Sequence, residues 1–373
     1  MTYTVGITAE YNPFHNGHVY QIQTVRDTYK PDYIIAVMSG NFVQRGEPAC
    51  IDKFTRAAAA CRNGIDVVLE LPYVYAVQSA SRFAHGAVSI LKKAGVQAIS
   101  FGSECGDLEN LRQIAALPIN PDHIRESMAQ GMSFPKAYSL LTAQMMPNDR
   151  LGVCYLQEIA DTKIEPLLLQ RTTNYLDPLL HPQTSSALAI RKAVAQGKAV
   201  DQATVMAKAL YAWPRVTLSA YYPYIRTFLL TAPPAYLASL FLFSEGIENH
   251  LSACARKAAS WQEFLSSSVT HRYTASRIRR TVLQVLTHTT AAEIQRLPPL
   301  HKIRVLAFNQ NGRRWLKACR KAEIPIASRF AAMPKAYRDM EYRAALAYAF
   351  PLPEHLRTKL LKNEIGGAMA VEE

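Results

Sequence analysis

The 373 residues carry 42 Lys/Arg against 29 Asp/Glu, a formal charge of +13, and 49% of them are hydrophobic. That length exceeds one average domain and predicts two or three, with ample core, while the basic excess points to a polyanionic partner. No run approaches the roughly 18 apolar residues of a membrane span, and the first residues lack a secretory pattern. Six scattered cysteines without a CxxC pair exclude a disulfide framework or zinc site and predict reduced thiols in the cytoplasm.

Taken in order, residues 1–105 alternate strand-like and helix-like segments. Residues 5–8 read as a short apolar strand, broken at Asn12-Pro13 before a helix over 18–28. The near-continuous apolar run 33–38 predicts a buried parallel strand, with Ser39-Gly40-Asn41 as its exit turn. A helix over 53–61, a strand over 66–70, a helix over 79–94 and a strand over 98–102 follow. This spacing predicts an α/β fold, a doubly wound parallel sheet with ligands bound beyond the carboxyl ends of its strands. Helices and loops are expected over 106–146, a helix from Pro147 to about 160, a last strand near 166–171 and then a polar loop. A helix begins near Ser185-Ser186 and fades by Gly197, which places a domain boundary near 200. Residues 201–373 are mainly helical in period, and the closing GGAMAVEE reads as a frayed tail.

The chemistry is concentrated at His15-Asn16-Gly17-His18. A helix N-terminus offers free N–H groups and a positive dipole end to phosphates, Gly17 allows close approach, and two imidazoles can donate to phosphate oxygens. His15 and His18 are therefore the candidate catalytic residues. A Ser/Thr-rich cap at Thr184-Ser185-Ser186 leads into a second helix, where Arg191 can grip a phosphate bidentately. Ser39-Gly40-Asn41-Phe42-Val43-Gln44-Arg45-Gly46-Glu47-Pro48 follows the second strand and should overhang the nucleotide. Ser39, Asn41, Gln44 and Arg45 are its substrate-lining candidates, whereas Asp52 and Lys53 read as an ordinary capping pair. No carboxylate cluster identifies a metal site.

These stretches, with Ala76-Val77-Gln78-Ser79-Ala80, Phe101-Gly102-Ser103-Glu104, Pro147-Asn148 and Ile303-Arg304-Val305-Leu306-Ala307-Phe308-Asn309, resemble the bacterial tRNA(Met) cytidine acetate ligase family of HxGH nucleotidyltransferases. The resemblance runs from residue 3 to about residue 320. It implies two steps: acetate attacks the α-phosphate of ATP to give acetyl-adenylate, and the acetyl group passes to N4 of the wobble cytidine of elongator tRNA(Met). It implies an ATP site over Ile7, Thr8, Ala9, Glu10, Tyr11, Asn12, Pro13, Phe14, His15, Asn16, Gly17, His18, Val19 and Tyr20. Gly102, Asn148 and Arg171 complete that site, and Ser186 and Arg191 are expected to grip the phosphates. ATP is the co-substrate, and Mg2+ is expected with it. The chain departs from the family pattern at Ser81, where an acid is common, and at Ser276, where Thr is usual.

The positive charge is clustered. Residues 271–330 hold 13 Lys/Arg against two acids, Glu293 and Glu323, which accounts for 11 of the net +13. Arg272, Arg277, Arg279, Arg280, Arg313 and Arg314 are the candidate tRNA-phosphate contacts, with Tyr273 and Trp315 expected to pack the core. The division expected is an ATP-binding catalytic domain over 1–200 and a helical, basic tRNA-binding domain over 201–373. No membrane and no protein partner is indicated. The alternative enzyme is a small-molecule adenylyltransferase of cofactor biosynthesis, which has no use for the basic window; an RNA-binding protein with a vestigial nucleotide site is a third reading.

Overall fold

A computed structural model describes residues 2–117, 145–171, 179–181 and 185–372. Most of the segment read as helices and loops over 106–146, most of the polar loop after 171, and Thr184 lie outside the described residues.

The predicted alternation is present. It runs β1 (Thr4–Ala9), α1 (Asn16–Tyr29), β2 (Tyr33–Ser39), a hairpin of β3 (Phe42–Val43) and β4 (Glu47–Pro48), α2 (Lys53–Arg62) and β5 (Val67–Leu71). Then come α3 (Ala80–Lys93), β6 (Ala98–Ser103), α4 (Pro147–Ile159), β7 (Glu165–Gln170) and α5 (Ala187–Ala195). β2 is buried on both faces: Ile35 and Val37 join one core, and Ile34, Ala36 and Met38 join the other. That is why its sequence runs apolar without alternation.

β1 lies at the centre, paired in parallel with β2 on one side and β6 on the other. The chain steps outward from β1 to β2 to β5, then returns across the sheet to β6 and β7. This reversal creates a crevice beyond the carboxyl ends of β1 and β6, the place where such sheets bind ligands.

Beyond residue 200, helices such as Leu218–Thr231, Ile247–Lys257 and Trp261–Ser268 lead to α6 (Ala275–Thr287). The expectation of a helical unit through 373 needs correction after that point. β8 (Ile303–Phe308) pairs antiparallel with β5, α7 (Gln310–Lys321) follows, and β9 (Ile326–Ala327) pairs with β8. α8 (Lys335–Ala349) and α9 (Glu354–Ile365) then precede β10 (Met369–Ala370). β10 pairs with β8, and Val371 N–H donates to Phe308 O at 2.9 Å, so the tail is a sheet edge and not frayed. The short apolar run of β8 has no period that separates strand from helix, and pairing at β10 uses main-chain groups that leave no side-chain signature.

A buried charge cluster fastens this returning segment to the sheet. Lys53, Glu70, Arg304 and Glu364 are each at most 4% exposed. Lys53 bonds Glu70 and lies 2.8 Å from Glu364, while Arg304 lies 3.0 Å from Glu70 and 2.5 Å from Glu364. Two cations and two carboxylates thus neutralise each other in a dry interior. Beside them Glu341 accepts from Tyr73 N–H, and burial with neighbouring Glu70 pushes its carboxyl up to about 8. Lys53 is therefore part of this cluster and not a capping residue, whereas Asp52 does cap α2 through Phe54 and Thr55 N–H. Removing one member strands its partners without water. Arg304→Met is expected to cost about 3–5 kcal/mol in urea unfolding; a loss below about 1 kcal/mol would show that the cluster does not hold β8 in place.

Candidate active site

One cavity of about 550 Å³ opens at the β1–β6 crevice. Its wall takes residues from the β1 exit, α1, the β3–β4 hairpin, β6, α4, the end of β7, α5 and the start of α6. Among the described residues, five arginines line it (Arg45, Arg150, Arg171, Arg191 and Arg280) against a single carboxylate, Glu10. A wall of this sign suits a polyanion.

The opposite character appears where β6, β7 and α4 meet. Phe83, Phe101, Leu151, Tyr155 and Leu169 give an apolar side, with the Phe101 and Tyr155 rings 5.7 Å apart. At its edge Glu104 accepts from the main-chain N–H of Asn148 and Asp149 at 3.1 Å and from Asn148 Nδ2 at 2.6 Å. Asp149 returns the contact by accepting from Glu104 N–H at 2.9 Å. This reciprocal lock fixes the β6 exit against the first turn of α4 and holds Asn148 on the cavity wall. Gly102 has its role too: a Cβ there would stand 3.2 Å from Arg171 Cγ, so the glycine makes room for the Arg171 side chain.

The histidines form the start of α1. His15 is the N-cap, its Nδ1 accepting from Gly17 N–H at 3.1 Å, while His18 Nδ1 accepts from His15 N–H at 3.1 Å. Their rings stack with centroids 3.8 Å apart. Burial, with Arg171 and Arg191 nearby, pushes His15 down to about 3. Burial, His15 and Arg171 hold His18 well below its ordinary value. Both rings are thus neutral near pH 7, and because each Nδ1 accepts a hydrogen bond, each carries its proton on Nε2. The wall therefore offers two neutral N–H donors beside several fixed positive charges.

The remaining expected residues divide. Thr8, Ala9, Glu10, Tyr11, Asn12, Gly17, Tyr20 and Arg191 lie on the wall with the histidines. Ile7 and Phe14 are core residues, and Pro13, Asn16 and Val19 are off the wall; Asn16 Nδ2 instead donates to Gln202 O at 2.7 Å. Ser186 is a correction, because its hydroxyl is buried and accepts from Ala189 N–H at 3.0 Å as the cap of α5. Arg191, one turn further, reaches the cavity and donates to Asn12 O at 2.5 Å.

In the hairpin, Gln44 and Arg45 line the cavity but Ser39 and Asn41 do not. Ser39 is fully buried, and Asn41 Oδ1 accepts from Lys53 N–H at 3.0 Å. The three-residue turn Gln44-Arg45-Gly46 closes on Gly46 at φ 77, and a Cβ on that glycine would stand 2.5 Å from Arg280 N. The hairpin tip is thereby pressed onto the backbone of α6.

That contact relocates part of the basic window. Arg280 is largely buried: it lines the cavity and donates to Gln78 O at 3.1 Å and Gln44 O at 3.5 Å. It is not a surface phosphate contact. Arg279 pairs with Glu47 at 3.2 Å, and Arg272 and Arg277 face Glu245 at 3.4 and 3.7 Å. Arg313 and Arg314 lie in α7, whose start is tied to Asp32 and Asp66 at the amino ends of β2 and β5, the end of the sheet remote from the cavity. Tyr273 and Trp315 are buried as expected. Arg150 and Thr274 also reach the cavity, as do Ser276, noted in the sequence as a departure from the family pattern, and Arg280, read from the sequence as a tRNA-phosphate contact.

Among the described residues no group of three or more His, Cys, Asp or Glu could hold a metal. No helix among them is long and apolar enough to cross a membrane. The histidine assignment is open to direct measurement. In the ligand-free protein, nitrogen-15 spectra of both imidazoles are expected to show the Nε2–H form unchanged from about pH 5.5 to 8, since the ordinary midpoint near 6.5 is displaced. A midpoint within that range would overturn the neutral-donor arrangement.

The chain matches the HIGH Nucleotidyl Transferase family over residues 2–363. It is 34% identical to the tRNA(Met) cytidine acetate ligase of Oceanobacillus iheyensis, across 98% of this chain and 99% of that protein. It is likewise 34% identical to the ligase of that name from Bacillus subtilis, across 98% and 96%. The Thermotoga maritima TmcAL crystal structure superposes with a TM-score of 0.88 at 31% identity over the whole of both chains, and its form bound with alpha-thio ATP with 0.86 at 30%. With its fold, its HxGH helix start and its length matched end to end, the chain belongs to the tRNA(Met) cytidine acetate ligase family of HIGH nucleotidyltransferases.

Proposed function

We propose that this protein is an ATP-dependent ligase that activates acetate as acetyl-adenylate and transfers the acetyl group to N4 of the wobble cytidine of elongator tRNA(Met). The observation that carries the reading is the end-to-end match to ligases of that name. The cavity's chemistry agrees with it. Adenine and ribose fit the apolar side bounded by Phe101, Leu151 and Tyr155, with Asn148 at its edge. The phosphates fit the side bearing Arg171, Arg191 and the start of α1.

In the first step an acetate oxygen attacks the α-phosphorus and the bond to pyrophosphate breaks. His15 and His18, as neutral Nε2–H donors, stabilise the charge that grows on the leaving oxygen, and the fixed arginines need no reorganisation to do the same. Mg2+ belongs to the substrate side: one hydrogen-bonded carboxylate on the wall is not a resident cation site, so the ion enters with the nucleotide.

The catalytic role is assigned to residues 1–200 and the tRNA role to the helical segment after them. Arg272, Arg277 and Arg279, near the hairpin that covers the cavity, are the phosphate contacts placed to bring an anticodon to it. Arg313 and Arg314 stand too far from the cavity to share that task unless the tRNA wraps the sheet.

Two measurements test this. Purified protein should catalyse ATP–pyrophosphate exchange that depends on acetate, and His15→Ala should lower it on the order of 100-fold or more; exchange independent of acetate would sink the reading. Arg272→Glu with Arg277→Glu should raise the tRNA KM at least about tenfold and steepen no ATP dependence; an equal rise in the ATP KM would place these residues with the nucleotide instead.

A further inference from the structure

Glu10, the one carboxylate among the described residues of the cavity wall, is out of character with its surroundings. Phosphate groups and acetate are anions and are repelled by Glu10, so it does not serve as a contact to either. Its position is nonetheless strongly determined. Its main-chain carbonyl accepts from the buried Arg56 guanidinium at 2.5 Å, and its Oε1 accepts from Gln44 N–H at 2.7 Å. Glu10 forms no ion pair among the described residues, and no hydrogen bond is made there to its Oε2. Half-buried on the cavity wall with one carboxylate oxygen uncommitted among the described residues, Glu10 can accept a hydrogen bond from a ligand donor.

The acceptor base supplies one. Resting on the function proposed above, we propose that Glu10 receives the exocyclic amine of the target cytidine: its carboxylate accepts the N4–H hydrogen bond and takes the proton as N4 is acetylated. Glu10 is one hydrogen bond from the hairpin through Gln44, and the Gln44 carbonyl is in turn held by Arg280 of α6. It therefore stands where the phosphate-gripping start of α1 meets the part of the wall contributed by the basic segment. The other charged wall groups cannot do this work. Arginine has no acceptor, and the Nδ1 atoms of His15 and His18 are already occupied by main-chain N–H groups.

The step balances. The N4 lone pair attacks the acetyl carbonyl carbon, the N–C bond forms, and the bond from that carbon to the phosphate oxygen breaks as AMP leaves. The N4 proton passes to the Glu10 carboxylate and then to solvent. Burial raises the carboxyl above its ordinary range, partly offset by the Gln44 N–H and by Arg191, Arg45 and Arg56, which makes it a better base than a solvated glutamate. The same contact selects the base: cytosine presents an amine donor where uracil presents a carbonyl, and two acceptors facing one another repel.

The test compares the two half-reactions in the full-length protein. Glu10→Gln keeps an acceptor for Gln44 N–H but cannot take a proton. Acetyl transfer to elongator tRNA(Met) in a single turnover is expected to fall on the order of 100-fold more than acetate-dependent ATP–pyrophosphate exchange measured without tRNA. The wild-type transfer rate should rise with pH through one ionisation that the variant lacks. As a second readout, tRNA(Met) carrying uridine at the wobble position should compete at least about tenfold more weakly than the cytidine form against wild type, with the gap narrowed in the variant. Equal loss in both half-reactions would overturn the proposal and assign Glu10 to the nucleotide or its Mg2+, and unchanged transfer or unchanged discrimination would also overturn it. Wild-type protein without acetate-dependent exchange would instead overturn the acetyl-adenylate reading, and this proposal with it.

Discussion

Arg56 places a guanidinium in the interior, fully buried, and gives it four main-chain carbonyls: Ile51, Glu10, Ser39 and Gly40. Three of those carbonyls belong to the exits of β1 and β2, where the chain leaves the ladder and its polar groups lose their sheet partners. An unsatisfied buried carbonyl is expensive, so the loops can adopt these irregular paths only because one side chain of α2 serves them all. Burial holds the guanidinium below its ordinary pKa, though not enough to discharge it. The HxGH loop and the hairpin are therefore positioned by a common anchor, and the cavity between them inherits that rigidity.

The cavity is organised by a division of charge. Its fixed positive groups are arginines, which remain charged at any working pH, whereas the histidines that lead the first helix are neutral donors. A protonated imidazole buried among arginines would pay for desolvation and repulsion together, and the capping hydrogen bonds already use the Nδ1 atoms. The motif thus contributes directed N–H groups to the cavity, and the arginines contribute the field.

The basic segment and the catalytic domain are not separate bodies joined by a linker. α6 brings Thr274, Ser276 and Arg280 to the cavity and receives the hairpin tip at Gly46, while β8 returns to the sheet and is locked by Arg304 to Glu70 and Glu364. The hairpin on the cavity wall and the helix that carries Arg277, Arg279 and Arg280 consequently share a contact, so a ligand that engages one is held against the other.

Local pattern carried most of the first 200 residues. Apolar runs of the right length, glycine and proline breaks and the alternation of periods placed β1, β2, β5, β6 and β7 within a residue or two; the first four are buried along almost their whole length and their composition records that, while β7 is an edge strand marked by its Leu167-Leu168-Leu169 run. The HxGH helix start was legible for the same reason: a cap and a strand exit are local events. What failed was whatever depends on which distant segment lies opposite. β8 reads as a short apolar run of either period until β5 pairs with it, and β10 is held by main-chain bonds that any residue can make. Asn41 and Ser186 carry amide or hydroxyl groups suited to ligands, yet each accepts from a main-chain N–H in the first turn of a helix, and the Ser39 hydroxyl is buried away from the cavity. Arg280 and Arg313 sit in one basic window, yet α6 turns the first into the cavity and α7 carries the second to the far end of the sheet. Sequence by itself determined the sheet, the family and the HxGH helix start, since these follow from residue type and spacing. Only the tertiary structure decided which polar groups face the cavity and which satisfy the backbone, because a side chain's task is set by the nearest unpaired group in space.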